Sequence, residues 1–94
     1  MNSVTFDFNR IGTLDDFYKV AVKEFNLSDH FGNNLDALWD SINGDIQLPA
    51  TAVFKNLSLN QLEYFDKIIL LFEEATYELG DNFIFEYYLN TEIH

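Results

Sequence analysis

Three short β-prone runs, separated by stretches whose apolar residues recur at helical spacing, constrain this chain more than any other feature. Val4-Thr5-Phe6-Asp7-Phe8 alternates apolar and polar residues, the pattern of a strand with one buried face. Leu48-Pro49-Ala50-Thr51-Ala52-Val53-Phe54 reads as a second strand, with its proline at the start, where a missing N–H donor is tolerated. Phe83-Ile84-Phe85-Glu86-Tyr87-Tyr88-Leu89 follows the turn residues Asp81-Asn82 and is rich in aromatic side chains, which suit a pleated surface.

The intervening segments carry a period near 3.6. After the turn Asn9-Arg10-Ile11-Gly12, Thr13 can cap a helix, with Asp16 three residues on as an imperfect capping box. Leu14, Phe17, Ala21 and Phe25 then share one face, and the helix is expected to end near Asn26. Ser28 to Asn33 reads as a loop centred on Phe31-Gly32-Asn33, followed by a cap at Asn33 or Asn34. Leu35, Leu38, Trp39 and Ile42 obey the i, i+3, i+4, i+7 rule, and Asn43-Gly44 predicts a stop, with Gly44 free to adopt a left-handed conformation. Ser58 and Gln61 match a capping box. Leu62, Phe65, Ile69, Phe72, Thr76 and Leu79 continue as a mostly apolar stripe closed by Gly80, forming one long helix or two broken near Asp66. Strands separated by helices favour parallel pairing with right-handed crossovers. The expectation is an α/β fold: a single domain over residues 1–94, with a three-stranded parallel sheet packed with three to four helices.

Composition narrows the function classes. The chain has 94 residues, of which 48% are apolar and 17% aromatic, enough to bury one core but not two. It has no cysteine, which excludes disulfides, thiolate metal sites and a cysteine nucleophile. The N-terminal residues lack a basic segment followed by an apolar one, and the longest apolar run, Ile68 to Phe72, is far too short to span a bilayer. A cytoplasmic protein, monomeric when free, is expected. The formal charge is −11 and uneven: Asp29, Asp36, Asp40 and Asp45 stand without a lysine or arginine between residues 29 and 49, and none follows Lys67. Nucleic acid and anionic membranes would be repelled. Such a field either solubilises the surface or attracts a basic partner.

Candidate chemistry is sparse. His30 and His94 are the only histidines, neither at ligand spacing from the other, and no calcium-loop pattern occurs. Nucleophile elbows and glycine-rich phosphate loops are missing, so neither an enzyme nor a cofactor or metal protein is expected. The second helix stands out. Asp36 and Asp40 lie one turn apart, where like charges cost a few tenths of a kcal/mol, and Asp40 falls near the helix end that the dipole makes unfavourable for an acid. This acidic face is either surface drift or a binding face. Trp39 beside it fits the apolar stripe and also suits an interface. His30 and Phe31 occupy a loop with no evident core role, where aromatics often make contacts.

The segment His30-Phe31-Gly32-Asn33-Asn34-Leu35-Asp36-Ala37-Leu38-Trp39-Asp40-Ser41-Ile42-Asn43-Gly44 resembles the barstar family of ribonuclease inhibitors, most specifically in Asn34-Leu35-Asp36-Ala37-Leu38-Trp39-Asp40. The likeness extends over nearly the whole chain in length, acidity and element order. It implies a three-stranded parallel sheet covered by helices. It also implies an immunity-type role: the second helix and its preceding loop enter the active site of a basic, barnase-like ribonuclease, one inhibitor to one enzyme. Asp40 would take the phosphate pocket, and Asp36 a further base at its rim. His30 would stack on the catalytic histidine, and Glu74 would reach a guanidinium. Gly32, Asn34, Trp39 and Gly44 match interface positions, while Phe31 and Asp45 join them by adjacency. The chain departs from the family at His30, commonly a tyrosine, and at Asp45, which can be a tryptophan. The link between Phe54 and Phe72 is also shorter than in the best-known member, so a shortened third helix is expected. A second reading keeps the fold and gives the acidic helix a non-nuclease partner or another toxin, because fold alone under-determines function.

Overall fold

The computed structural model describes residues 2–28 and 30–90. Met1, Asp29 and residues 91–94, which include the acid Glu92 and His94, lie outside the described residues. The elements are β1 (Asn2–Asp7), α1 (Leu14–Glu24), α2 (Leu35–Gly44), β2 (Ala50–Leu57), α3 (Leu59–Tyr64), α4 (Asp66–Leu79), a 3-10 turn over Gly80–Asn82, and β3 (Phe83–Leu89). The sheet runs β1-β2-β3, and both pairings are parallel. Parallel pairing from chain neighbours demands a crossover between each pair, and the helices supply it. This is the expected architecture, with the last helical stretch split in two.

Period-2 alternation decides which face of the sheet is covered. Val4 and Phe6 of β1, Ala50, Ala52 and Phe54 of β2, and Phe83 of β3 are buried, whereas Ser3, Thr5, Ile84 and Glu86 point to the solvated side. The register places Phe6, Phe54 and Tyr87 in one row, and Val4, Ala52 and Phe85 in the next. Onto this face the helices bring Phe17 and Ala21 of α1 with Phe25 at its C-terminal cap, Leu38 and Ile42 of α2, and Ile68, Phe72 and Ala75 of α4. The centre is aromatic. Phe54 lies 4.9 Å from Phe72, 5.0 Å from Phe8 and 5.1 Å from Phe6, mostly at tilted or edge-on angles that suit the ring quadrupoles.

Local caps agree with the sequence and go further. The Thr13 hydroxyl accepts from the Asp16 N–H at 3.1 Å and the Asp16 carboxylate accepts from the Thr13 N–H at 3.2 Å, a complete capping box. Leu14, expected on the core face of α1, is instead 41% exposed, and Tyr18 is buried in its place. The covered stripe of α1 thus begins about one turn after its start, at Phe17 and Tyr18. α2 ends at Gly44, the expected stop, but without a left-handed glycine, since positive φ among the glycines occurs only at Gly80, at 59°. The Ser41 carbonyl accepts from both the Asp45 and Ile46 N–H groups, at 2.8 and 3.0 Å, so the helix end is satisfied without a left-handed residue. Gly80 does close α4 in the left-handed half of the map.

Gln61 ties the two halves of the fold together. Its side-chain oxygen accepts from the Ser58 N–H at 3.0 Å and completes the α3 capping box. Its amide then donates to the Phe8 and Ile11 carbonyls, at 2.9 and 2.8 Å. Both carbonyls belong to residues that are almost fully buried. Gln61→Ala is expected to cost about 1–3 kcal/mol, the price of orphaned buried acceptors, read as a lower midpoint in urea unfolding with an unchanged slope. The break between α3 and α4 falls at Phe65, whose buried ring turns inward to lie 5.2 Å from Phe8.

Two carboxylates link stability to acid. Asp7 is held below the usual carboxylate range by the Asn56 side-chain amide and by the Asn9 N–H, each donating at 3.0 Å. Asn56 reaches it from a left-handed position (φ 64°) within the irregular stretch between Phe54 and Leu57 of β2. Asp16 is lowered mainly by the Gly12 N–H, then by its Thr13 contacts. A native value below the unfolded one gives stability that is complete above the unfolded pKa, about 3.9 for aspartate, and lost as pH falls through the native value. Unfolding free energy should therefore hold level on the neutral side and decline below about pH 4. Asp7→Asn and Asp16→Asn should each flatten that decline in urea melts taken across pH.

Candidate functional site

The acidic helix α2 forms a ridge with a cleft along each flank. Its start is set by Asn34, whose side-chain oxygen accepts from the Ala37 N–H at 2.8 Å while its amide donates to the Gly32 carbonyl at 3.1 Å. A Cβ on Gly32 would sit 3.1 Å from that same amide nitrogen and 3.5 Å from the Ala37 Cβ. Glycine thus lets the loop close tightly on the cap. Asn33 supplies the left-handed residue (φ 51°) that turns the chain into the helix, a conformation asparagine tolerates. Asn34 and Gly32, both expected at an interface, therefore also build the helix start.

Beyond the cap, the loop is held by Ser28. Its hydroxyl accepts from the His30 N–H at 3.1 Å, and its carbonyl accepts from the Phe31 N–H at 3.0 Å. His30 is exposed. Phe31 is only half-buried and packs against the core, its ring 5.9 Å from that of Tyr18, whose hydroxyl pKa is raised by burial. The expectation that Phe31 had no core role is corrected: it anchors the loop while leaving one edge outward. Ser28, His30, Phe31, Gly32, Asp40 and Asp45 line the first cleft together. Five of the residues expected from the sequence are thus gathered on one flank.

The second cleft lies between α2 and α4. Leu35, Asp36 and Trp39 form one wall, and Lys67, Leu70, Leu71 and Glu74 the other. Trp39 is half-buried against the core and also lines this groove, so that one edge packs and the other is presented. Glu74 stands exposed on α4, brought beside Asp36 by the packing of α4 on α2. Asp36 and Asp40 are both exposed, Asp36 in the first turn of α2, and no basic residue stands in its last turn. Gly44, exposed at the end of the ridge, has nothing within 4 Å of where a Cβ would be.

Chemically, the ridge offers carboxylates on a rigid helix, aromatic edges beside them, and no enclosed chamber. Among the described residues no group of three or more His, Cys, Asp or Glu side chains is placed to hold a metal ion. No helix among them is long and apolar enough to cross a membrane. The arrangement suits charge-assisted hydrogen bonding to cations supplied from outside. Sequence reasoning missed Lys67, Leu70 and Leu71 as neighbours of Trp39. Their i, i+3, i+4 spacing with Glu74 at i+7 was the available signal, masked by the burial of adjacent Ile68 and Ile69.

Comparison with known proteins bears on this ridge. A family model described as Barstar (barnase inhibitor) matches residues 1–89. A curated relative from Bacillus subtilis (strain 168), named "Putative ribonuclease inhibitor YrdF", is 38% identical over 80 residues, covering 82% of this chain and 85% of the relative.

Proposed function

This chain belongs to the barstar family, and from that premise we propose that it blocks the active site of a basic, barnase-like ribonuclease, one molecule to one, with the α2 ridge. Family and relative together make it a ribonuclease inhibitor and not an enzyme. The observation that carries the finer reading is the convergence of Asp40, Asp45, His30 and Phe31 on one flank of α2 and of Asp36, Trp39 and Glu74 on the other. A ribonuclease must hold RNA phosphates with bases. Carboxylates on a preorganised helix can engage those same bases without the entropy cost of ordering a loop. Asp40 stands in for the phosphate, with Asp36 and Glu74 as outer anchors. The net charge of −11 adds a long-range field that speeds encounter and loses force as salt screens it. Free, the inhibitor is monomeric and works in the cytoplasm of the cell that makes the nuclease.

RNA cleavage by barnase, or by a secreted basic ribonuclease from the same source, tests this directly. Activity should fall in proportion to added inhibitor and vanish at one equivalent. Undiminished cleavage by every basic ribonuclease tried, at excess inhibitor, would reject the proposal.

A further inference from the structure

Lys67 is unexpected on a surface that would meet only bases. It lies in the first turn of the 14-residue helix α4, where the helix dipole disfavours a cation. It is the only lysine or arginine after residue 55, and it lines the groove that also holds Asp36, Trp39 and Glu74. Along one face of α4 the order is Lys67, Leu70, Leu71, Glu74. The acid and the base are two turns apart, with an apolar stretch between them in which Leu70 is 55% exposed. A partner presenting only bases would meet attraction at Asp36 and Glu74 and repulsion at Lys67. Mixed charge around an apolar stretch instead matches a surface of mixed charge.

We propose that Lys67 is a specificity-determining residue, and that the ribonuclease this chain recognises covers the α2–α4 groove with a carboxylate set among its bases. The inference rests on the ribonuclease-inhibitor reading above. It assigns Leu70 and Leu71, on the α4 wall of the groove, to an apolar contact beside that carboxylate. Lys67 thereby favours the matched nuclease and rejects basic ribonucleases lacking the acid, because a like charge facing it is repelled.

The test uses a panel of basic ribonucleases, barnase included, and takes forward the one the wild-type chain binds most tightly. Dissociation constants are then measured for Lys67→Arg, Lys67→Ala and Lys67→Glu, with Asp40→Ala as a control for the pose. Expected are near wild-type binding for Lys67→Arg, weakening of about threefold for Lys67→Ala and about tenfold for Lys67→Glu. The last two losses should shrink in 0.5 M salt, with melting temperatures changed by only a few degrees, because the helix-dipole gain opposes the lost attraction to Asp36 and Glu74. Equal or tighter binding by Lys67→Glu would overturn the inference while leaving a large Asp40→Ala loss, and the inhibitor reading, intact. Failure of the wild-type chain to bind any member of the panel would overturn both.

Discussion

Asp40→Ala is expected to weaken ribonuclease binding by about 2–5 kcal/mol or more, the range for truncating one partner of a buried charged pair. The barnase complex of this family is itself a reference case for that range. The loss is large because the enzyme's cations, desolvated by the covering ridge, would be left unpaired in the complex. It should appear chiefly as faster dissociation, since α2 keeps its shape. Asp40 is exposed and caps nothing, whereas the helix start depends on Asn34. The free variant should melt at or slightly above the wild-type temperature, because the substitution removes a like-charge neighbour of Asp36 and an acid from the dipole's unfavourable end. Surface plasmon resonance beside thermal melting separates the two effects. Asp36→Ala and Glu74→Ala, nearer the rim, should cost less and mainly slow association in low salt.

Phe54→Ala is expected to be the most damaging single change to the fold, at about 3–5 kcal/mol. Phe54 sits in the central strand, fully buried, with Phe6, Phe8, Phe17, Phe72 and Phe85 around its ring. These neighbours come from both edge strands, the loop after β1, α1 and α4, so no single shift can close the cavity. Against a total stability of roughly 5–15 kcal/mol, the loss removes a large share. Urea unfolding by far-ultraviolet circular dichroism should show a much lower midpoint. Phe54→Leu, which keeps more volume, should fall between the variant and the wild type.

What could be read from the residues alone follows from how far each interaction reaches along the chain. The Thr13/Asp16 and Ser58/Gln61 capping boxes span three residues, and both are present. The Phe83–Leu89 strand is bounded by its own turn signals and has the expected limits. Element order was enough to give a parallel sheet. Long-range contacts were not legible. β2 runs on to Leu57, beyond the expected end at Phe54, because the Phe8 N–H and the Asn90 N–H find the Lys55 and Leu57 carbonyls across the sheet. The Gln61 amide spends its donors on residues about fifty positions away, which no cap pattern announces. The α2 stop at Gly44 was legible, but not its conformation: a shared acceptor at Ser41 satisfies the helix end without a left-handed residue. The second flank of the ridge needed the packing of α4 on α2, and so Lys67 remained invisible beside Asp36.

The central claim is that the α2 carboxylates occupy the positions of RNA phosphates. Competition tests it most directly: the affinity of the chain for the ribonuclease it inhibits is measured against rising concentrations of a nucleoside 3′-monophosphate that fills the enzyme's phosphate pocket. The account predicts that apparent affinity falls in proportion to occupancy by the nucleotide, and that Asp40→Ala loses most of this sensitivity. Unchanged affinity at saturating nucleotide, with both ligands bound to one enzyme molecule, would contradict it.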